Sequence, residues 1–247
     1  RPERPPVPSA PAAGNPARSL GMRFALVPAG TFSMGSAEGG PFSARNERPV
    51  HQVTISRPFY MGVCEVTQEQ WTRVMGSNPS AAPLGDGPVE SVSHSDALAF
   101  VDALNRFEGT SRYRLPTEAE WEFAARGGAT TDYFFGDAPE DIGKYAWHKG
   151  NSGGSIRPAG MLLPNQYGLF DILGNVYEWT SDLYDEFYYE VSPARDPSGP
   201  SDDREVRSVR GCAWDADYYR CRSADRGNLA PGERLPNQGF RIAYTAD

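Results

Sequence analysis

Soft and readily ionised side chains are few in this chain, and their spacing limits the chemistry it can perform. Cys212 and Cys221 stand close together near the C-terminal end, whereas Cys64 lies far upstream. A Cys212–Cys221 disulfide would close a short loop in an oxidising compartment; the other reading is three small, partly buried thiols. The sequence has no CxxC pair, and His51, His94 and His148 fall in separate segments, so no structural zinc ligand set is visible. The one GxSxG spacing, GNSGG at residues 150–154, lies in a glycine-rich loop rather than between a strand and a helix, so no nucleophile elbow supports a Ser-His-Asp arrangement. The histidines read as structural, one in a strand, one near a helix start and one in a loop, and catalysis finds no support in the sequence.

The stretch from Ser208 to Tyr244 carries a different signal, because two kinds of position alternate along it. Arg210, Gly211, Trp214, Arg222, Arg226, Pro231, Arg234, Gly239, Phe240 and Arg241 read as a frame. Between them stand Asp215, Ala216, Asp217, Tyr218, Tyr219, Asp225, Gly227, Leu229, Gly232, Leu235 and Pro236, which share neither polarity nor periodicity. A fixed frame with unpatterned inserts suggests a ligand surface carried on loops over a rigid scaffold. Tyrosines suit such a surface, giving large amphipathic contact at low entropy cost. Adjacent residues of an extended chain face opposite ways, so at least one of Tyr218 and Tyr219 should be exposed. The frame arginines are expected to bond backbone carbonyls and acidic partners rather than ligand.

Elements able to hold that surface are legible upstream. FALVPAGTFSMGS and HQVTISRPFYMGVCEVT read as short strands punctuated by Pro28-Ala29-Gly30 and Arg57-Pro58. Thr67 and Gln70 form a capping box opening a helix whose buried face is Trp71, Val74 and Met75. A second helix is predicted from about Asp96 to Phe107, with Ala97, Leu98, Val101, Leu104 and Phe107 on one face. In RLPTEAEWEFAARGG, Thr117 caps a third helix, Glu120 closes the box and Gly127 stands at the left-handed C-cap. Residues 1–20 are rich in Pro, Ala and Arg and read as a disordered linker. No signal peptide is visible there, leaving the compartment open; a cell-surface or secreted location would need an upstream signal or anchor.

The 247 residues can bury a substantial core, and no apolar run approaches the roughly 18 residues of a membrane span. A net charge of −8 argues against a phosphate-backbone footprint, so nucleic acid is not an expected partner. With 26 glycines and 22 prolines, much of the backbone should be irregular.

These segments together resemble the formylglycine-generating-enzyme-like domain, the sulfatase-modifying-factor type of C-type lectin fold, from about Phe24 to Ala243. The resemblance is carried in order by FALVPAGTFSMGS, ERPVHQV, Glu65-Val66-Thr67, RLPTEAEWEFAARGG, PNQYGLFDILGNVYEWTSD and GFRIA. It implies one loop-rich α+β domain over residues 21–247, with short antiparallel strands and about three helices. A monomer is expected. Formylglycine-generating enzymes use paired copper-binding thiols, and soft thiolates suit Cu(I). Counted back from GFR, the second thiol should fall near Tyr218, where there is no cysteine; Cys221 is out of register and Cys212 replaces a frame glycine or serine. No copper is therefore expected. Iron-dependent sulfoxide synthases, another branch, need a histidine cluster that the scattered histidines do not supply. Family members bind calcium through a loop matching FDILGNVYEW, which would assign a structural Ca²⁺ to Asp171 and Glu178 side chains and to the Gly174 and Val176 carbonyls.

Proteins of this subclass also serve as variable proteins of diversity-generating retroelements, in which adenine-directed mutagenesis rewrites asparagine codons. From AAC, changes at the two adenines reach codons for Asp, Ala, Tyr, Gly, Leu and Pro, the residues found at the unpatterned positions. The resemblance thus implies a non-catalytic binding protein with a variable region at about 210–241 and an unidentified protein or small-molecule ligand. The alternatives are a copper-dependent oxidase using Cys212 and Cys221, and an accessory domain joined by the Pro-rich leader to a kinase, protease or membrane anchor.

Overall fold

A computed structural model describes residues 20–40 and 42–246. The linker expected over residues 1–20 lies outside the described residues except for Leu20, which is buried. Strands β1 (Phe24–Val27), β2 (Gly30–Met34), β3 (His51–Ile55) and β4 (Phe59–Gly62) precede helices α1 (Gln68–Met75) and α2 (His94–Glu108). Then follow β5 (Tyr113–Arg114), α3 (Glu118–Arg126), β6 (Tyr177–Leu183), β7 (Arg207–Arg210), β8 (Arg226–Leu229), β9 (Gln238–Gly239) and β10 (Ala243–Thr245). No helix among the described residues is long and apolar enough to cross a membrane.

All three α-helices start with a complete capping box: Thr67 with Gln70, Ser93 with Asp96, and Thr117 with Glu120. Each also stops at a glycine in the left-handed region, Gly76, Gly109 or Gly127. Helix α2 begins two residues before the predicted Asp96, because Ser93 is its cap and Asp96 its N3 residue. Its buried stripe is Ala97, Phe100, Val101 and Leu104, whereas Leu98 and Phe107, predicted for the same face, are 42% and 58% exposed. Val74 and Met75 of α1 are only half-buried; Trp71 is the residue that anchors that helix, stacked on Phe100 at 5.2 Å between ring centroids.

Among the described residues the strands form two four-stranded sheets and one two-stranded sheet. In the first, ordered β1-β4-β10-β5, β4 lies between the first and last strands, with Phe24 opposite Gly62 and Ala243 opposite Met61. Strands β2 and β3 pair antiparallel from Gly30↔Ile55 to Met34↔His51. The third sheet, β8-β7-β6-β9, combines antiparallel pairs with one parallel contact between β6 and β9. The core gathers in two clusters, one around Trp121, Phe59, Met61 and Phe170, the other around Trp71, Phe100, Leu104, Trp179 and Phe240. Cys212 and Cys221 belong to the first, so the C-terminal segment is rooted in the core at that point.

Candidate ligand-binding surface

The frame arginines point inward. Arg222 forms a two-bond fork with Glu47, both bonds 2.7 Å, and Arg226 a second fork with Glu118 at 2.7 and 3.0 Å. Arg210, wholly buried, donates to Glu122 and to the carbonyls of Ser223, Ala224 and Asp225. Arg241 grips Glu178 at 2.6–2.9 Å and donates to the carbonyls of Gly62 and Phe170. Only Arg234 makes its acid pair, to Asp96, in the open. Burial works against the charged forms of Glu118 and Glu122, yet neighbouring guanidiniums outweigh it and hold both carboxyls below their usual range. Since α3 supplies Glu118 and Glu122, that helix is the post to which β7 and β8 are tied.

Two frame glycines have steric reasons. Gly211 adopts φ +80°, and Gly239 approaches Val89 so closely that a Cβ there would sit 2.5 Å from its carbonyl oxygen.

Between Arg210 and Arg222 the chain leaves the core and returns. A Cys212–Cys221 disulfide, with Cα atoms 4.7 Å apart, closes this excursion at its base. Asp215 and Tyr218 are exposed at its crest, while Ala216, Asp217 and Tyr219 are half-buried. Trp214 donates through Nε1 to the Pro236 carbonyl at 3.2 Å, and Asn237 donates to Asp215 at 3.0 Å, so the excursion is braced against the 231–237 loop. Phe42, from an N-terminal loop, stacks on Tyr219 at 5.0 Å and meets Tyr218 edge-on at 6.0 Å. Gly227, Leu229 and Leu235 are half-buried, and Gly232 and Pro236 exposed. Gly227, Leu229 and Leu235 line a common groove with Tyr177, Val209 and Arg220.

Asp225 departs from the expected surface. It is 2% exposed and pairs with Arg220 at 3.1 Å and Arg222 at 3.5 Å. Burial, opposed by Arg220, pushes its carboxyl up to about 7. The irregular pattern placed it among display positions, whereas the structure uses it to anchor two arginines. Phe42, Arg220, Asn228 and Asn237 join the surface without having been singled out. For Phe42 no local signal existed, since its neighbours on the surface are far away in sequence.

The histidines are structural. His94 is buried, with Nε2 bonded to the Thr180 carbonyl at 3.0 Å, and burial lowers its pKa to about 4, keeping the ring neutral. His51 packs on Tyr189 at 4.7 Å, and His148 accepts at Nδ1 from Gly150 N–H.

Residues 10–246 match the family described as sulfatase-modifying factor enzyme 1-like domain. The chain belongs to that family. A formylglycine-generating enzyme of Streptomyces coelicolor is 31% identical over 287 aligned positions, which cover 90% of this chain and 88% of that protein. The serine/threonine-protein kinase pkn1 of Chlamydia pneumoniae is 34% identical across 88% of this chain, which spans only 37% of the kinase. Among solved structures, Treponema denticola variable protein 1 superposes with a TM-score of 0.82 at 29% identity, covering 91% of this chain and 95% of that one. PvdO from Pseudomonas aeruginosa gives 0.81 at 27% identity, covering 91% and 94%. The loop-rich α+β architecture with short antiparallel strands is therefore that of the sulfatase-modifying factor domain.

Several residues that the sequence resemblance assigns to metals have protein partners in place. For calcium, both Glu178 oxygens already accept from Arg241, and one also accepts from Trp121 Nε1 at 2.7 Å. A guanidinium across the carboxylate repels a cation. Asp171 Oδ2 accepts from Gly160 N–H at 2.6 Å, and the Gly174 carbonyl accepts from Val176 N–H at 2.9 Å. Of the residues assigned to calcium, Asp171, Gly174, Val176 and Glu178, the last serves here as the counter-ion of Arg241. For copper, the Cys212 and Cys221 sulfurs are bonded to each other and buried rather than presented as two thiolates.

Proposed function

We propose that this sulfatase-modifying factor domain is a non-catalytic ligand-binding protein that displays a diversified C-terminal surface. The observation carrying this reading is the separation of roles along residues 210–241. The inward side chains form forks, carbonyl bonds and a disulfide, while the unpatterned positions, Asp225 apart, lie at the crest of the 212–221 excursion, along the groove or on the 231–237 loop. Side chains can then change without disturbing what holds the backbone. The residue types at those positions are those reachable from AAC codons, and Asn228 and Asn237, also on this surface, are what unaltered AAC would encode. Structural likeness to Treponema denticola variable protein 1 supports the same reading.

The deciding experiment is to sequence the DNA around the gene. A near-copy of the region encoding Arg210 to Arg241, differing at adenines and lying beside a reverse transcriptase, is expected; its absence overturns diversification. The identity to the Streptomyces coelicolor formylglycine-generating enzyme favours a second reading, a copper-dependent oxidase. Stoichiometric Cu(I) binding by the reduced chain, lost in Cys221→Ser, would establish that reading and sink the first.

A further inference from the structure

The crest of the excursion faces a segment from outside residues 210–241. An open cleft of ≈ 390 Å³ separates Tyr218 from the stretch 139–148, and is lined by Pro139, Glu140, Ile142, Gly143, His148 and Tyr218. Tyr218 is 37% exposed, and its ring is braced at right angles by Phe42 at 6.0 Å and Tyr219 at 5.8 Å. The charges around the cleft leave one carboxylate unmet. Lys144 spends its ammonium on Asp141 at 2.6 Å, and Lys149 lies 3.4 Å from Asp217. Glu140 is exposed, lines the cleft and has no cationic partner among the described residues. His148 adds no charge. Its Nδ1 accepts from the Gly150 N–H at 3.1 Å, and burial lowers the ring's pKa from its ordinary value in spite of Asp217, so the imidazole is neutral at pH 7.

We propose that this cleft takes an arginine side chain of a protein partner, its guanidinium paired with Glu140 and stacked on Tyr218, its methylenes against Pro139 and Ile142. The inference rests on the reading of the crest as a ligand surface and names the chemistry of the partner. A planar guanidinium suits both a carboxylate and a ring face, whereas an ammonium is a strongly hydrated point charge that gains less from the ring. Arginine is also among the residues that dominate protein interfaces. The net charge of −8 favours a basic partner during approach. Because Glu140 and His148 lie outside residues 210–241, one wall of the cleft stays constant when residue 218 changes.

The test titrates the ¹⁵N-labelled full chain with acetyl-Gly-Arg-Gly-amide and follows the amide resonances. Shifts are expected at Glu140, Gly143, His148 and Tyr218. Citrulline in place of arginine keeps the shape without the charge and should bind about fivefold more weakly; lysine should bind about twofold more weakly. Glu140→Gln and Tyr218→Leu should each weaken the arginine peptide about threefold, and both should fold because both side chains are exposed. Glu69→Gln, which removes an exposed charge from α1, should leave the affinity unchanged and so separates the cleft from general attraction to an acidic chain. Equal affinity for the arginine and citrulline peptides, shifts that map away from the cleft, or no binding at tens of millimolar peptide overturns the proposal. Equal weakening by Glu69→Gln and Glu140→Gln overturns it too, and lysine binding as tightly as arginine overturns the stacked guanidinium. These outcomes are independent of the genomic test. A template repeat without arginine binding leaves diversification standing and removes this inference; arginine binding without a repeat leaves a binding surface that is not diversified.

Discussion

Helix α2 and the segment from Arg210 to Arg241 are fastened to the same core by opposite means. The helix is held by an apolar stripe, Ala97, Phe100, Val101 and Leu104, and by caps at both ends. The C-terminal segment has little regular structure and is fastened at points: four buried arginines, one disulfide and two glycines in restricted positions. A stripe needs every fourth or third residue along its length, so it constrains the whole element. Point fastening constrains only the points. The difference explains how one segment can carry side chains of unrelated character and still keep its path.

That contrast breaks most severely if a fastening arginine is removed. Arg241→Ala leaves Glu178 buried without its partner and should cost about 3–5 kcal/mol, enough to unfold much of the protein, as read by urea denaturation. The double change Arg241→Met with Glu178→Leu should recover a large part of that loss, because Glu178 is then no longer left as a buried carboxylate without its guanidinium.

The next effect belongs to the disulfide. Cys212→Ser with Cys221→Ser should lower stability by about 2–3 kcal/mol for a closure of 9 residues, and should broaden the amide resonances of 213–220 while leaving α2 unchanged. Broadening of α2 to the same degree would show that the two regions are not separately fastened.

A third measurement exploits a carboxyl that has no arginine. Asp182 is buried, accepting from Glu118 N–H and the Ser181 hydroxyl at 2.9 Å, and burial, reinforced by Glu118, pushes its carboxyl up to about 8. The unfolded chain loses this proton near the ordinary value of roughly 4. Between pH 4 and about 8 the folded state therefore binds the extra proton, and the Asp182 contribution to stability falls as pH rises, by up to about 1.4 kcal/mol per unit. Asp182→Asn should remove that part of the slope of melting temperature against pH. The arginine-paired carboxyls Glu118 and Glu122 contribute the opposite sign, their stabilisation being lost on acidification.

The smallest effect is expected at the crest. Tyr218→Ala and Asp215→Ala should each cost less than about 1 kcal/mol, because both side chains are exposed and the bonds and ring contact they make lie at the surface. A loss above about 2 kcal/mol at either position would mean that the crest is itself a fastening point, and the comparison with α2 would lose its basis.

What could be read in advance follows the same division. The capping boxes at Thr67 and Thr117 and the glycine at 127 are local signals and stand where the sequence puts them. Helix α2 was legible in its stripe but not in its edges: Leu98 and Phe107 fit the period loosely, yet the face that meets the core is narrower than the period allows. Inward use of the frame arginines was also expected, though their acids could not be chosen; Arg222 finds Glu47 from 175 positions away. The partners of Asp225 and Glu178 were hidden for one reason. A carboxylate in a loop looks alike whether it faces water, a cation or a buried guanidinium, and only the fold brings Arg220 to the first and Arg241 to the second.

The order of the first sheet also bears on how the molecule is made. Strand β4 has two neighbours, β1 from the beginning of the domain and β10 from its far end, and β5 joins the sheet only through β10. On the ribosome, β1 and β4 can pair early, but β5 must wait until Ala243–Thr245 has emerged from the exit tunnel. The domain therefore keeps an open sheet edge until its last strand has been made and freed, and its cooperative fold waits on that strand.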